Sequence, residues 1–205
     1  MRTEKITLNE LRALVRQILK EESGATKPLP PTPQELIRMM PPKLKELFFK
    51  QWGAKQNPKF HPEGNTLKHI IIVLKRAYKY YYPENPNMII AALFHDLGKM
   101  DTYAINPKTN QPTAYGHEKK STDYIDEFKS WIESFDGVDV DTIKYIVKNH
   151  MKIKPSTWDS MRPAKKEPIE SNPNFGDLQA FNDKLDGGGI NLQELLNRIA
   201  KKLKN

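Results

Sequence analysis

The chain has 205 residues, which predicts one compact domain with extra segments at its ends, because domains average roughly 150 residues. Hydrophobic residues make up 38% and charged residues 28%, and 33 basic against 25 acidic side chains give a net charge of +8. This composition excludes a fully disordered chain. The charge favours anionic partners such as phosphates, nucleotides or nucleic acid, although a soluble protein with a positive surface explains it equally well. The absence of cysteine excludes disulfides and thiolate-bound metals, so any metal must use histidine and carboxylate ligands.

The first predicted element is an amphipathic helix from Thr7 to Glu22, within an N-terminal segment 1–22. Thr7 and Glu10 have the spacing of a capping box, and large apolar side chains recur at helical spacing, at Leu8, Leu11, Val15, Ile18 and Leu19. The four prolines in 23–34 predict a linker, because proline interrupts a helix. The apolar stripe of the helix needs a partner, so we expect it to dock on the domain surface or on another protein.

From residue 35 to residue 205 the patterns predict one all-α domain. Strand signals are nearly absent and no internal repeat occurs. The stretch 152–174 contains four prolines and few large apolar residues, which predicts a long exposed loop. The predicted helices are Glu35–Met40, Lys43–Trp52, Asn65–Tyr82, Asn87–Leu97, Glu118–Phe135, Asp141–Met151, Phe175–Asp186 and Leu192–Leu203.

No segment has the features of a membrane or secreted protein. The longest unbroken apolar stretch, 88–94, is far shorter than the roughly 20 residues that cross a bilayer. The N-terminus MRTEKITLNE lacks the apolar core of a secretory signal. We therefore expect a cytoplasmic protein with no membrane partner, of unspecified oligomeric state.

All five histidines lie between residues 61 and 150, and most of them are predicted to point inward. His69 lies beside the apolar stripe of the helix that begins at Asn65. His150 continues the apolar face of the helix that begins at Asp141. His117 opens the helix that follows it, near the core.

The segment NMIIAALFHDLG is apolar around its circumference, which is typical of a central helix with no solvent face. Its predicted last turn carries His95 and Asp96, and Gly98 is predicted to end the helix as a C-cap. An ionised aspartate in this position is costly unless a cation compensates it. Farther along, Asp186 flanks the stripe of the last core helix, whereas Asp183 lies nearly opposite it.

A single inward histidine is more often a hydrogen-bonded core residue than a ligand. Here, however, four inward histidines, a His-Asp pair in the most apolar helix and a later aspartate occur together. This set of nitrogen and oxygen donors suits Mn, Fe, Co, Ni or Zn, and it fits calcium or an all-carboxylate magnesium cage poorly. We therefore expect one or two divalent transition metals.

Three motifs resemble, in order, the HD superfamily of metal-dependent phosphohydrolases: HPEGNTLKH at 61–69, AALFHDLGK at 91–99 and YGHEKKS at 115–121. They are similar in particular to the HD module of bacterial CCA-adding tRNA nucleotidyltransferases, over residues 58–188. The resemblance implies a helical bundle with two metals, the first held by His69, His95, Asp96 and Asp186, and the second by His117 and His150 with Asp96 as the bridge.

The resemblance also implies a reaction, the cleavage of a phosphomonoester or phosphodiester of a nucleotide or RNA end by water that the metals activate. Asp96 and Lys99 are then the predicted catalytic residues, with Lys99 contacting a phosphate oxygen. A cation at a helix C-terminus explains Lys99 equally well. Lys119 and Lys120 are predicted on the rim of the substrate site, although a charge pair is usually a solvated face. His61 is predicted at the pocket edge or behind the ligands.

The chain also departs from parts of this superfamily. It lacks the Gly-Ser and paired-Asp motifs of a nucleotidyltransferase head, so the addition of nucleotides to tRNA is not implied. Leu97, Gly98 and Lys99 follow the HD pair where stringent-response alarmone hydrolases have an acidic pair. The chain also has no GYP-type motif of cyclic dinucleotide phosphodiesterases.

Two other functions are compatible with the pattern. Some members of the superfamily use the same ligands in a di-iron oxygenase, which metal identity and oxygen dependence would distinguish. The other alternative is a non-catalytic nucleotide- or nucleic-acid-binding module with a structural metal. The complete ligand set argues against this module, because a structural metal rarely needs six ligands with open positions.

Overall fold

The computed structural model describes residues 26–58 and 61–187. Within these ranges the regular secondary structure is helical apart from one hairpin, which confirms the predicted all-α class. The helices are α1 (Pro33–Met39), α2 (Pro42–Lys50), α3 (Thr66–Tyr81), α4 (Pro86–Phe94), α5 (His117–Glu127), α6 (Lys129–Ile132), α7 (Val140–Asn149), α8 (Pro155–Ser160), α9 (Pro163–Glu170) and α10 (Phe175–Ala180). A 3₁₀ turn, Gln51–Gly53, follows α2, and a π-helical turn, Phe181–Asp186, follows α10.

Helix α4 is the central element, as its sequence predicts. Its side chains from Met88 to Phe94 are all buried, and it packs against α3, α5, α7 and the π-helical turn. The Asn85 side chain caps its N-terminus by accepting a hydrogen bond from the Met88 N–H. Because a helix with no solvent face must be covered on every side, these neighbours surround α4 and meet beyond its C-terminal end.

Part of the predicted linker 23–34 lies against the helical domain. The Lys27 N–H donates to the Ser134 carbonyl at 2.9 Å, and Leu29 is buried in the core. Helix α1 begins inside this stretch, with Thr32 as its N-cap. The predicted N-terminal helix within 1–22 and the predicted helix Leu192–Leu203 lie outside the described residues, so the division of the chain into domains stays a prediction.

The prediction of a long loop over 152–174 is wrong, because α8 and α9 lie within it. Pro155 and Pro163 stand at the starts of these helices, where the missing N–H of proline would have no helical partner in any case. Ile169 is part of the buried core, and the partly buried Trp158 packs against that core. Two of the four prolines therefore begin short helices here, and Pro168 lies inside α9.

Two further elements differ from the predicted pattern. The single predicted helix Glu118–Phe135 is divided into α5 and α6 at Phe128, which leaves the helical region at φ −101° and ψ 18°. The hairpin between α4 and α5 pairs β1 (Ala104–Asn106) with β2 (Gln111–Thr113), although the sequence shows no clear strand pattern there. No helix in the described ranges is long and apolar enough to cross a membrane.

Candidate metal centre

The fold brings all the predicted metal ligands together beyond the C-terminal end of α4. Their side chains are at most 6% exposed, although they come from distant parts of the chain. Asp186 is in this cluster, whereas Asp183 is exposed. The predicted ligands are His69 on α3, His95 and Asp96 directly after α4, His117 at the start of α5, His150 directly after α7, and Asp186 at the end of the π-helical turn.

The ligand atoms form two groups, and within each group they lie within 4.8 Å of one another. The groups are His69, His95 and Asp186, and Asp96, His117 and His150. Asp96 lies between them. Its Oδ2 is 3.3 Å from Nε2 of His95 and 3.7 Å from Nε2 of His69. Its Oδ1 is 3.2 Å from Nε2 of His117 and 3.7 Å from Nε2 of His150. This arrangement is that of a carboxylate that can bridge two cations.

His95 is the C-cap of α4, with helical dihedral angles and its N–H bonded to the Ala91 carbonyl at 2.9 Å. Asp96 follows it in a turn, so the prediction that the last helical turn carries both residues holds for His95 alone. The helix ends at Phe94, and the chain continues in tight turns, in which the N–H of Lys99 donates to the Asp96 carbonyl at 3.1 Å. Gly98 does not have the positive φ of a left-handed C-cap. The chain leaves α4 gradually, and this places the Asp96 carboxylate between its neighbouring helices.

Gly98 is needed for close approach between this turn and α5. A Cβ added at Gly98 would collide with the carbonyl oxygen of His117 and would lie 2.9 Å from the Ser121 nitrogen. The Gly98 N–H donates to Ser121 Oγ at 2.9 Å. The lack of a side chain at Gly98 therefore lets Asp96 and His117 share one site.

Gln51 holds the same turn from the other side, a role that the sequence did not indicate. Its side chain is fully buried. Its Nε2 donates to the Leu97 carbonyl at 2.8 Å, and its Oε1 accepts from the Met100 N–H at 3.0 Å. A lone glutamine after an amphipathic helix carries no sequence signal for this role, because the role depends on contacts across the fold.

Three of the histidines are oriented in the same way. In each, Nδ1 lies within hydrogen-bond distance of the backbone carbonyl three residues earlier: Ala92 for His95 (3.0 Å), Ala114 for His117 (2.7 Å) and Val147 for His150 (2.7 Å). A carbonyl only accepts, so Nδ1 must be the donor, and in the neutral ring Nε2 then has the free lone pair. These Nε2 atoms face Asp96, which is the tautomer and orientation that a metal ligand requires.

Several buried atoms of the cluster have no adequate partner in the described chain. Nε2 of His95 and both carboxylate oxygens of Asp96 make no hydrogen bond there, although the Lys99 ammonium lies 2.7 Å from Asp96 Oδ2 as an ion pair. Nε2 of His117 and Nε2 of His150 face each other at 3.4 Å. Buried polar atoms without a partner destabilise the folded state. Divalent transition metals bind imidazole nitrogens and carboxylate oxygens, so they would give these Nε2 atoms and the Asp96 oxygens a partner. The residues present therefore fit such metals.

His69 is held between two carboxylates. Its Nδ1 is 2.7 Å from Glu63 Oε1, and its Nε2 is 3.0 Å from Asp186 Oδ1. Burial lowers the pKa of His69, but the hydrogen bonds to Asp186 and Glu63 outweigh burial and raise it to about 9. Glu63 thus orients the ring from outside the cluster, as carboxylates behind metal-binding histidines do. The same Glu63 oxygen lies 3.0 Å from Nδ1 of His61.

Two lysines compensate the aspartates. Burial alone would raise the pKa of both carboxyl groups, but neighbouring positive charges hold the pKa of Asp96 and of Asp186 well below the ordinary range. Nζ of Lys99 is 2.7 Å from Asp96, and Nζ of Lys154 is 2.6 Å from Asp186. Sequence analysis did not find Lys154, because nothing in its local sequence distinguishes it from other lysines. Burial lowers the pKa of His150, which favours its neutral, ligating form.

A cleft of about 550 Å³ opens beside the cluster, and Lys99, His117 and His61 line it. Lys119 and Lys120 are not among its lining residues. Lys119 pairs with an aspartate of its own helix at 3.4 Å, and Lys120 lies over the Tyr124 ring. Their placement on the rim of the substrate site stays a prediction.

The Gly98→Ala substitution is expected to weaken metal binding and lower the melting temperature. The added methyl group must push the Asp96 turn away from α5, and such overpacking costs about 1–3 kcal/mol. Calorimetric metal titration and thermal melts measure both effects. Gly176→Ala is the matched control, because a Cβ at that helical position meets no atom within 4 Å. Unchanged metal affinity in Gly98→Ala would show that the close approach is not needed.

Comparison with known proteins identifies the family of this fold and site. A family model of the HD domain matches residues 66–202, which is more than half of the chain. The chain therefore belongs to the HD domain family, and the predicted resemblance is confirmed. HD domains bind divalent metals, in agreement with the buried histidine and aspartate groups described above.

Curated relatives match a shorter part of the chain. The chain is 37% identical over 84 residues to the multifunctional CCA protein of Thioalkalivibrio sulfidiphilus, covering 41% of this chain and 18% of the relative. It is 34% identical over 92 residues to that of Shewanella denitrificans, covering 45% of this chain and 20% of the relative. The chain thus spans about a fifth of the length of these relatives. No solved structure matches the chain significantly.

Proposed function

We propose that this protein is a metal-dependent phosphohydrolase that cleaves a phosphomonoester or phosphodiester of a nucleotide or RNA end. The observation that supports it most directly is the pair of buried ligand groups beside an open cleft, with the Asp96 carboxylate lying between histidines of both groups. The similarity to CCA proteins and the net charge of +8 support a nucleotide or RNA as the substrate.

We assign the ligands to two divalent transition metals, chosen from Mn, Fe, Co, Ni and Zn. One would be held by His69, His95, Asp96 and Asp186, and the other by Asp96, His117 and His150. Metals bound there supply a Lewis acid and activate a water molecule as the nucleophile. The contribution of the protein is to present the Nε2 atoms of fixed imidazole rings and a shared carboxylate in a buried site, where electrostatic interactions are strong.

Lys99 is placed to bind the phosphate. Its side chain is 12% exposed and lies against Asp96, and it also lines the cleft. An ammonium group in this position can donate to a phosphate oxygen in the cleft while it stays close to the reacting centre. It would then help to neutralise the charge of the phosphoryl group during attack.

The Lys99→Ala substitution is expected to lower kcat/KM by about tenfold to a hundredfold, which is the effect of losing one charge-assisted hydrogen bond. Bound metal should be retained, because the ligands are untouched. Lys129→Ala, at an exposed lysine on α6 that pairs with Glu133, serves as the control and should change neither quantity. A slightly lower melting temperature with unchanged kinetics would instead favour a cation that stabilises the end of α4.

The proposal as a whole is tested by metal analysis of the purified protein, followed by turnover measurements on a panel of nucleotides and phosphate-ended RNAs. We expect bound transition metal and release of phosphate or of a phosphate-bearing product that continues under argon. A product that requires oxygen would contradict the hydrolase in favour of the oxygenase. Binding of nucleotide without turnover at any metal loading would favour the binding module.

A further inference from the structure

One wall of the cleft is the loop 54–57, which is fixed to the start of α3. The Ala54 carbonyl accepts from both the N–H and the hydroxyl of Thr66, at 3.0 and 3.2 Å. The Gln56 N–H donates to the Gly64 carbonyl at 3.1 Å. Because α3 also carries His69, the position of Gln56 relative to the metal ligands is set by backbone hydrogen bonds.

Gln56 lines the cleft but is only 8% exposed. Neither its Nε2 nor its Oε1 finds a hydrogen-bond partner in the described part of the chain. A buried carboxamide with an unused donor and an unused acceptor is unusual, because buried polar groups are nearly always paired. The nearby Gln51 is also buried, and both ends of its amide are bonded. Because Gln56 belongs to the wall of the cleft, a ligand in the cleft is the candidate partner of its unsatisfied amide.

An aromatic ring is exposed on the same cleft. Tyr115 is 81% exposed and lines the cleft together with His117, which is two residues farther along the chain. A large exposed ring beside a phosphate-binding position is a surface on which a nucleobase can stack. The cleft volume of about 550 Å³ lies within the range of small-molecule sites.

We propose that Gln56 hydrogen-bonds to the edge of the substrate's nucleobase, with Tyr115 stacking on the base and Lys99 at the phosphate. A carboxamide presents a donor and an acceptor side by side, and nucleobase edges present the complementary pair, which glutamine reads with two hydrogen bonds. A phosphate group offers acceptors alone and would leave Oε1 of Gln56 unpaired. This inference rests on the proposed function, since it names the part of a nucleotide that the same cleft recognises.

The test compares ribonucleoside monophosphates with ribose 5-phosphate, which has the sugar and phosphate but no base. Gln56→Met keeps the length of the side chain and removes both hydrogen-bonding groups. We expect it to lower kcat/KM for the best nucleotide by about tenfold or more and to leave kcat/KM for ribose 5-phosphate unchanged. Tyr115→Ala should show the same selective loss. Gln179→Met, at an exposed glutamine of α10, is the control and should affect neither substrate.

The results of this test distinguish a failure of the proposed base subsite from a failure of the proposed hydrolase reaction. An equal loss on both substrates, or no loss on either, would overturn the role of Gln56 while the hydrolase proposal stands. Turnover of neither substrate nor of phosphate-ended RNA would overturn the hydrolase proposal. In that case calorimetric titration of the metal-loaded protein with the same nucleotides decides the base subsite, and equal affinity in wild type and Gln56→Met would contradict it.

Discussion

Replacement of Asp96 by alanine is expected to lower phosphohydrolase turnover by several orders of magnitude. Asp96 is the carboxylate that lies between the two ligand groups, within 3.7 Å of Nε2 of His69 and of His150. Its loss would remove a ligand from both of the proposed metals at once, and both the positioning and the activation of water would depend on those metals. Two quantities are measured for both the wild type and Asp96→Ala: the metal content per chain and the turnover on the best substrate.

Asp183→Ala is the matched control for this substitution, because Asp183 is an exposed aspartate in the same π-helical turn as Asp186. It should keep both metal and turnover. Full turnover in Asp96→Ala would contradict the hydrolase proposal. Without metal, the stability of Asp96→Ala should be no lower than that of the wild type, because the substitution removes a buried anion that only a partial set of partners compensates.

Addition of Mn, Fe or Ni to the metal-free wild type is expected to raise its stability markedly. A ligand that binds only the folded state at a hundred times its Kd contributes about 2.7 kcal/mol. Thermal melts at a series of metal concentrations measure this gain. Without metal, Nε2 of His95 and the oxygens of Asp96 are buried and make no hydrogen bond in the described chain, which is the physical reason for the gain. An unchanged melting temperature with every transition metal tested would contradict the metal site.

The same metal binding should strengthen as the pH rises from about 6.5 to about 9. In the metal-free protein the pKa of His69 is raised from 6.5 to about 9, so its proton stabilises the folded state fully below pH 6.5, and this contribution is lost as the pH rises through about 9. A metal must displace that proton from Nε2. Calorimetric titrations across this pH range should show tighter binding at higher pH.

The Glu63→Gln substitution tests whether the proton on His69 causes this pH dependence of metal binding. It replaces the carboxylate that accepts from His69 Nδ1 at 2.7 Å by a neutral amide of the same shape, so the pH at which binding tightens should move downward. A pH profile that is identical in wild type and Glu63→Gln would show that the proton on His69 does not control metal binding.

Some helices of this fold were predictable from the sequence, whereas others and the hairpin were not. The all-apolar α4 and the amphipathic α3 and α7 were predictable to within a few residues, because hydrophobic periodicity reports which faces are buried. The short helices α8 and α9 were not, since proline composition is the same whether prolines break helices or begin them. The hairpin of β1 and β2 was also missed, because three-residue strands are too short to show an alternating pattern.

The helical class of the protein, its family, and the histidines and aspartates that gather at one site were all predictable from the amino-acid sequence. Periodicity placed His69 and His150 inward, and the local motifs carried the family resemblance. The way in which these groups meet depends on the packing of the helices and was not predictable. The tight approach at Gly98, the support of the Asp96 turn by Gln51 and the pairing of Lys154 with Asp186 all join residues that are distant in sequence. Local patterns report burial and helix ends, whereas the partner of a buried polar group is set by the packing of whole helices.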